Sequence, residues 1–151
     1  MTRIFLDTEF TGLHQHTTLI SVGLAAESGE VFYAELTDYD EEEVDPWIRT
    51  NVLSLLSGGL SNAEYAHTKP VMLCQGMMVD VSRALRRWFR QFDGKDSVEI
   101  WADVMAWDWV LFCEVFGGAF ALPEQVHYIP RDLSTLLWLK GIDPDIRSEE
   151  H

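Results

Sequence analysis

The sequence predicts an α/β domain: a mixed five-stranded sheet whose first three strands form an antiparallel meander, with helices packed on its faces. Three observations carry this. Short apolar runs at 3–6, 19–26 and 31–36 follow one another with turn residues between them, the pattern of closely connected strands. From residue 45 onward, helical periodicity alternates with further short runs, giving the order β-β-β-α-α-β-α-β-α. The chain has 151 residues, 47% of them apolar, and no linker or internal repeat divides it, so one core is expected.

Arg3 to Leu6 reads as the first strand. Leu19 to Ala26 is apolar on both faces and so reads as a central strand. Glu27-Ser28-Gly29-Glu30 is a turn, and Val31 to Leu36 returns as the third strand. Asp45 is placed as an N-cap with Pro46 at the first helical position, opening a helix that runs to about Leu56 and stops at Ser57-Gly58-Gly59. Residues Leu60 to Pro70 lack a period and read as a loop. Val79 to Phe92 is helical, with Val81, Leu85, Trp88 and Phe92 on one side. Ser97 to Trp101 is the fourth strand, and Trp107 to Phe116 is a short helix ended by Gly117-Gly118. Gln125 to Tyr128 is read as the fifth strand, and Pro130 to Leu139 as a last helix stopping at Gly141.

A formal net charge of −14 argues against a generic grip on nucleic acid, which needs Lys and Arg to neutralise phosphates. Much of the acidity lies in two blocks, Asp38 to Asp45 and Asp143 to Glu150, of the kind that forms solvated surface. The exception is Arg83, Arg86, Arg87 and Arg90, spaced to share a stripe of one helix. It reads first as a solvated face, and second as a rail for phosphates or an acidic partner. Cys74 and Cys113 lack the spacing of a zinc site and suggest a reducing compartment. The N-terminus does not read as a signal peptide, and no apolar stretch is long enough to span a membrane, so the cytoplasm is expected.

The chemistry concentrates in Ile4-Phe5-Leu6-Asp7-Thr8-Glu9-Phe10. Residues two apart on a strand point to the same face, so Asp7 and Glu9 converge. Two close carboxylates repel unless a positive charge lies between them, and a hard divalent cation is the usual solution. The plain alternative is a strand that ends in a polar turn.

Leu6-Asp7-Thr8-Glu9-Phe10-Thr11-Gly12-Leu13 resembles the first motif of the DEDD 3'-5' exonucleases of the histidine type, a family with an RNase H-like fold. Ser97 to Ala102, followed by Trp107-Asp108-Trp109-Val110-Leu111-Phe112, is similar to the second. Trp47 to Leu53 and Trp101 to Gly117 look most like the mycobacterial-type 3'-5' exoribonucleases. The resemblance runs to about Leu139. The family's third motif, a His followed five residues on by an Asp, has no counterpart near Ser148-Glu149-Glu150-His151, so the domain is expected to lack its last helix.

The resemblance implies hydrolysis of terminal phosphodiesters of single-stranded RNA, or DNA, from the 3' end with two Mg2+ or Mn2+ ions. It implies Asp7, Glu9 and Asp108 as catalytic metal ligands. It also implies Phe10, Thr11, Gly12, Leu13 and Trp107 as substrate contacts, the backbone near Thr11 and Gly12 meeting the terminal sugar. Asp103 competes with Asp108 and reads equally as a helix N-cap, while Asp132 reads as a helix-start residue. Of Trp107 and Trp109, one is expected in the core and the other near substrate. None of His14, His16, His67, His127 and His151 is assigned as general base, which stays unknown. Relatives of this kind are often dimers, so a homodimer is an expectation. The alternative is a catalytically incomplete module that binds nucleic acid or protein without turnover.

Overall fold

The computed structural model describes residues 1–56 and 71–143. The expected loop at Leu60 to Pro70, the stop at Ser57-Gly58-Gly59, His67, His151 and most of the second acidic block lie outside the described residues.

The core of the fold is a six-stranded sheet in the order β4-β3-β2-β1-β5-β6. Its strands are β1 (Thr2–Phe10), β2 (Leu19–Ala26), β3 (Val31–Leu36), β4 (Val71–Gly76), β5 (Val98–Ala102) and β6 (Arg131–Asp132). β2 is antiparallel to both neighbours, while β1–β5, β3–β4 and β5–β6 pair in parallel. The antiparallel meander is as expected, but the count of five strands is corrected to six. The missed strand is β4, set off from the next helix only by Gln75-Gly76 in an otherwise apolar stretch. Gln125 to Tyr128 is not a strand: only Val126 bridges to Val98. The outer pairing falls instead to Arg131 and Asp132, beside Trp101 and Ala102.

The helices are α1 (Pro46–Asn51), α2 (Met78–Phe89), α3 (Ala106–Val115) and α4 (Leu133–Leu139). Asp45 caps α1 by accepting from the Ile48 N–H at 2.8 Å. α1 ends sooner than expected, and a 3-10 turn at Leu53–Leu55 follows it. α2 and α3 bury Val81, Leu85, Trp88, Phe89, Leu111, Phe112 and Val115 against the sheet face that carries Ile4, Leu6, Leu24, Phe32 and Ile100. On the other face, Ile48 and Val52 close over Ile20 in a smaller cluster. Ile20 reaches that side because the β1–β2 ladder slips: Glu9 pairs with Ser21 but Phe10 with Leu19, leaving Ile20 as the extra residue of a bulge. α4 is apolar, yet none of its residues is buried.

Arg86 does not serve as part of a free basic rail. Its Nη2 donates to the carbonyl of Ala121 at 2.9 Å, and its guanidinium lies 5.1 Å from the centre of the Phe116 ring. The hydrogen bond and the cation–π contact tie α2 to the segment after α3. Cys74 and Cys113 are free thiols.

Candidate active site

β1 runs four residues beyond the expected Leu6, so Asp7 and Glu9 lie within the strand and inherit its strict alternation. Ile4, Leu6 and Thr8 are buried on the main core, while Phe5, Asp7 and Glu9 face the other way and stay accessible. β1 lies between antiparallel β2 and parallel β5. Its carboxyl end is the point where connections diverge, the usual place for a site in an open α/β sheet.

Asp108 arrives from the first turn of α3. One of its oxygens, Oδ1, accepts from both the backbone N–H and the hydroxyl of Thr8, at 2.9 and 2.7 Å. Thr8 lies between Asp7 and Glu9, so this pair of bonds brings α3 against the acidic stretch of β1. Desolvation is the first cause raising the pKa of both Asp7 and Glu9. For Asp7 the charge of Asp108 is next, with Asp103 a lesser contributor; for Glu9 the charges are those of Asp7 and then Asp108. The three carboxylates therefore feel one another. Asp103 touches this field only through Asp7, and its Oδ1 accepts from the Ser134 hydroxyl. It does not cap α3, whose N-cap is Met105. Asp132 caps α4, as expected, through the Thr135 N–H at 3.1 Å.

All three carboxylates offer the oxygen donors that suit Mg2+ or Mn2+. Asp108 keeps Oδ2 for such a role while Thr8 holds Oδ1. Among the described residues, however, no three His, Cys, Asp or Glu side chains are gathered closely enough to enclose a cation as they stand. The donor set fits a cation in kind; full ligation would require the side chains to draw in.

The connection after β1 shapes the rim. Thr11 is 3% exposed, and its hydroxyl oxygen accepts from the Thr18 N–H at 2.9 Å and lies 3.3 Å from Glu43 Oε2. The N–H groups of Thr11 and Gly12 bond to the Thr18 carbonyl and the Thr17 hydroxyl. Those donors are therefore engaged inside the loop, and any backbone contact to a sugar there falls to carbonyls. Leu13, as expected after a glycine, is 74% exposed. Phe10 is half-buried against the core.

Two pockets flank Glu9. One of about 350 Å³ is bounded by Phe10 to Leu13 and by Asp45, Trp47 and Val52. The other, about 260 Å³, joins Asp7 and Glu9 to Tyr33, Asn51 and Leu55. The α1 contribution, above all Trp47 at 65% exposure, went unassigned in the sequence. The cap signal at Asp45 located the helix but said nothing of the face it turns to the acids.

Trp107 and Trp109 both pack partly on the core. Trp107 is the one at the rim: its Nε1 donates to the His14 carbonyl at 3.3 Å. His14 Nε2 lies 2.6 Å from Glu43 Oε2, and its Nδ1 accepts from the His16 N–H. That acceptor role requires the proton to sit on Nε2, so His14 donates to Glu43. His127 stacks on Tyr128, on the segment leading to β6.

A mixed-sheet α/β domain with a carboxylate cluster at the carboxyl end of its central strand is a broad class. Comparison with known proteins narrows it. The model of the family described as the 3'-5' exoribonuclease Rv2179c-like domain matches residues 2–150. Two curated relatives from Mycobacterium tuberculosis are 3'-5' exoribonuclease Rv2179c of strain ATCC 25618 / H37Rv and 3'-5' exoribonuclease MT2234.1 of strain CDC 1551 / Oshkosh. Each is 37% identical over 134 residues, covering 89% of this chain and 73% of the relative. The chain belongs to the Rv2179c-like 3'-5' exoribonuclease domain family.

Proposed function

We propose that this protein is a metal-dependent 3'-5' exonuclease of the DEDD type on an RNase H-like fold. It removes mononucleotides from the 3' ends of single-stranded RNA, with DNA as the lesser substrate. The observation that carries the reading is the placement of Asp108 on Thr8, between Asp7 and Glu9, in a chain whose family is named for this activity.

Asp7, Glu9 and Asp108 would hold two Mg2+ or Mn2+ ions. Bound there, the ions supply a polarised water and charge stabilisation at the leaving 3' oxygen. The protein's own residues bind and orient. Thr8 fixes the Asp108 carboxylate, so that its free oxygen points from a set position. Phe10, Leu13 and Trp47 offer apolar and aromatic surface to the terminal base, a grip that tolerates any sequence. Desolvation and mutual repulsion hold Asp7 and Glu9 in a state that a cation relieves.

Mononucleotide release from a labelled RNA, dependent on Mg2+ or Mn2+ and lost in Asp7→Ala, tests the reading. Release that persists in that variant sinks it. The second reading, a module that binds without turnover, is favoured by one observation: among the described residues the acids are not gathered for ligation. It predicts RNA binding with no mononucleotide release at any metal concentration.

Two further expectations belong to the proposal. A homodimer would use α4, where Trp138 and Leu139 are exposed and nothing is buried. A cytoplasmic location accords with the free thiols at Cys74 and Cys113. No described helix is long and apolar enough to cross a membrane.

A further inference from the structure

The turn between β5 and α3 carries a strained residue. Val104 has φ +49°, in the left-handed region where a β-branched side chain is rarely found. Both of its neighbours are tied to the start of α4: the Ser134 hydroxyl donates to Asp103 Oδ1, and the Met105 N–H donates to Asp132 Oδ1 at 3.3 Å. We infer that Asp132 and Ser134 are positioning residues for the candidate active site: clasping this turn on either side of Val104, they set where α3 delivers Asp108. The inference rests on the proposed activity and adds to it two residues that act through Asp108.

Backbone strain persists only where the surroundings over-determine it. The clasp does so here. β5 pairs with β6 at Trp101–Arg131 and Ala102–Asp132, and each chain then turns away, one into Asp103 and the other into α4. Asp132 bridges the two. Its Oδ2 caps α4, accepting from the Thr135 N–H at 3.1 Å and from the Thr135 hydroxyl, while Oδ1 serves Met105. The Thr135 hydroxyl, and after it the amides of Met105, Thr135 and Val104, hold the Asp132 carboxyl below the ordinary aspartate value against the opposing effect of desolvation.

The clasp acts on Asp108 because the first turn of α3 is the lightly packed end of that helix. α3 starts at Ala106, two residues after Val104, and its N-cap Met105 lends no side-chain hydrogen bond. The fully buried residues of α3 begin at Leu111, in its second turn. Were Val104 to relax to negative φ, the chain would change direction immediately ahead of the first turn. The Asp108 oxygen left for a cation would move with it. Ser134 has a further effect, since it holds Asp103, whose charge reaches Asp7.

Two variants test the clasp. Asp132→Ser keeps an oxygen to cap α4 but loses the one that meets Met105. Ser134→Ala leaves the cap whole, removes only the tie to Asp103, and decides the matter by itself if Asp132→Ser does not fold. In metal-free protein, both are expected to speed amide exchange several-fold at Thr8, whose N–H bonds to Asp108, relative to the amides of β2. For Asp132→Ser, the Mg2+ concentration for half-maximal mononucleotide release should rise about tenfold, the lower end for residues that orient metal ligands, and by more than the saturating rate falls. Adding Val104→Asn, which accepts positive φ and has no β-branch, should return both readouts toward those of the unaltered protein. A lower melting temperature with Thr8 exchange and Mg2+ requirement unchanged overturns the inference, as does a Val104→Asn change that restores neither. Thr8 exchange needs no metal and no RNA. Unchanged exchange beside normal release therefore overturns the clasp alone, and absence of release from the unaltered protein overturns the nuclease reading alone.

Discussion

Thr8 gives its backbone N–H and its hydroxyl to the same oxygen of Asp108, at 2.9 and 2.7 Å, across 100 residues of sequence. Hydrogen bonds to a charged group contribute about 1.5–3 kcal/mol each when shielded from water. Partial exposure puts these at the lower end. They fix the first turn of α3 against the central strand.

Replacing Thr8 by Val keeps the shape and the backbone donor but deletes the hydroxyl. A loss of about 1.5 kcal/mol is expected, or about 3–6 °C in Tm. Activity should fall further than stability does, because the Asp108 carboxylate gains freedom, and the Mg2+ concentration for half-maximal rate should rise. Thr8→Ser should recover most of both. Thermal melts together with metal titrations of the rate check this.

Asp7 carries a raised pKa, first through desolvation and then through the charge of Asp108. A carboxyl raised in the folded state lends stability that is complete below its unfolded pKa and is lost as pH rises through the folded value. Neutral pH lies above that window, so the ionised site weakens the metal-free fold. In EDTA, Asp7→Asn should melt higher than the unaltered protein at neutral pH, with the gap closing as pH drops below the ordinary carboxylate range. Added Mg2+ should raise the melting point of the unaltered protein and leave that of Asp7→Asn nearly unchanged. The same gap at both ends of the range would contradict the assignment.

Trp47 contributes an exposed indole to the larger pocket and little to the core. Trp47→Ala should leave the melting temperature within about 2 °C, since surface changes usually cost under about 0.5 kcal/mol. Affinity for short single-stranded RNA should fall by about tenfold, the loss of one stacking contact. Anisotropy titrations and melts on the same preparation separate the two effects.

Arg86 is a structural clamp, so its removal should act on stability alone. Arg86→Ala is expected to cost about 1 kcal/mol through the Ala121 carbonyl bond and the Phe116 ring contact. RNA affinity and its salt dependence should stay as they are. A reduced salt slope would restore the rail reading for the α2 arginines.

The acid pair and the meander were legible because period-two alternation and turn residues are local signals. The cap at Asp45 was legible for the same reason. β4 was not: Val71 to Val79 is apolar but for Gln75 and Gly76, and with no alternation in the run that short break did not mark off its strand from the start of α2. β6 spans only Arg131 and Asp132, too short to leave a pattern, whereas Gln125 to Tyr128 had a strand-like composition but only one bridging residue. α3 is apolar on nearly every side, so sequence could not tell which way Trp107 and Trp109 turn. The Thr8–Asp108 bond was invisible, because a buried threonine does not announce its partner. Spacing named Asp7 and Glu9, and the family resemblance added Asp108; that Asp108 meets Thr8 depends on α3 packing against β1.

The bulge at Ile20 splits the apolar interior unequally. Among the described residues, three buried side chains, with Tyr39, Val44, Leu53 and Leu56 packed on them, hold the layer over Asp7 and Glu9, while the strand beneath is anchored in a far larger cluster. Local opening follows the weakest packing. Amide exchange should therefore be faster across the α1 roof than in the floor bearing the acids, which keeps its register while the roof opens.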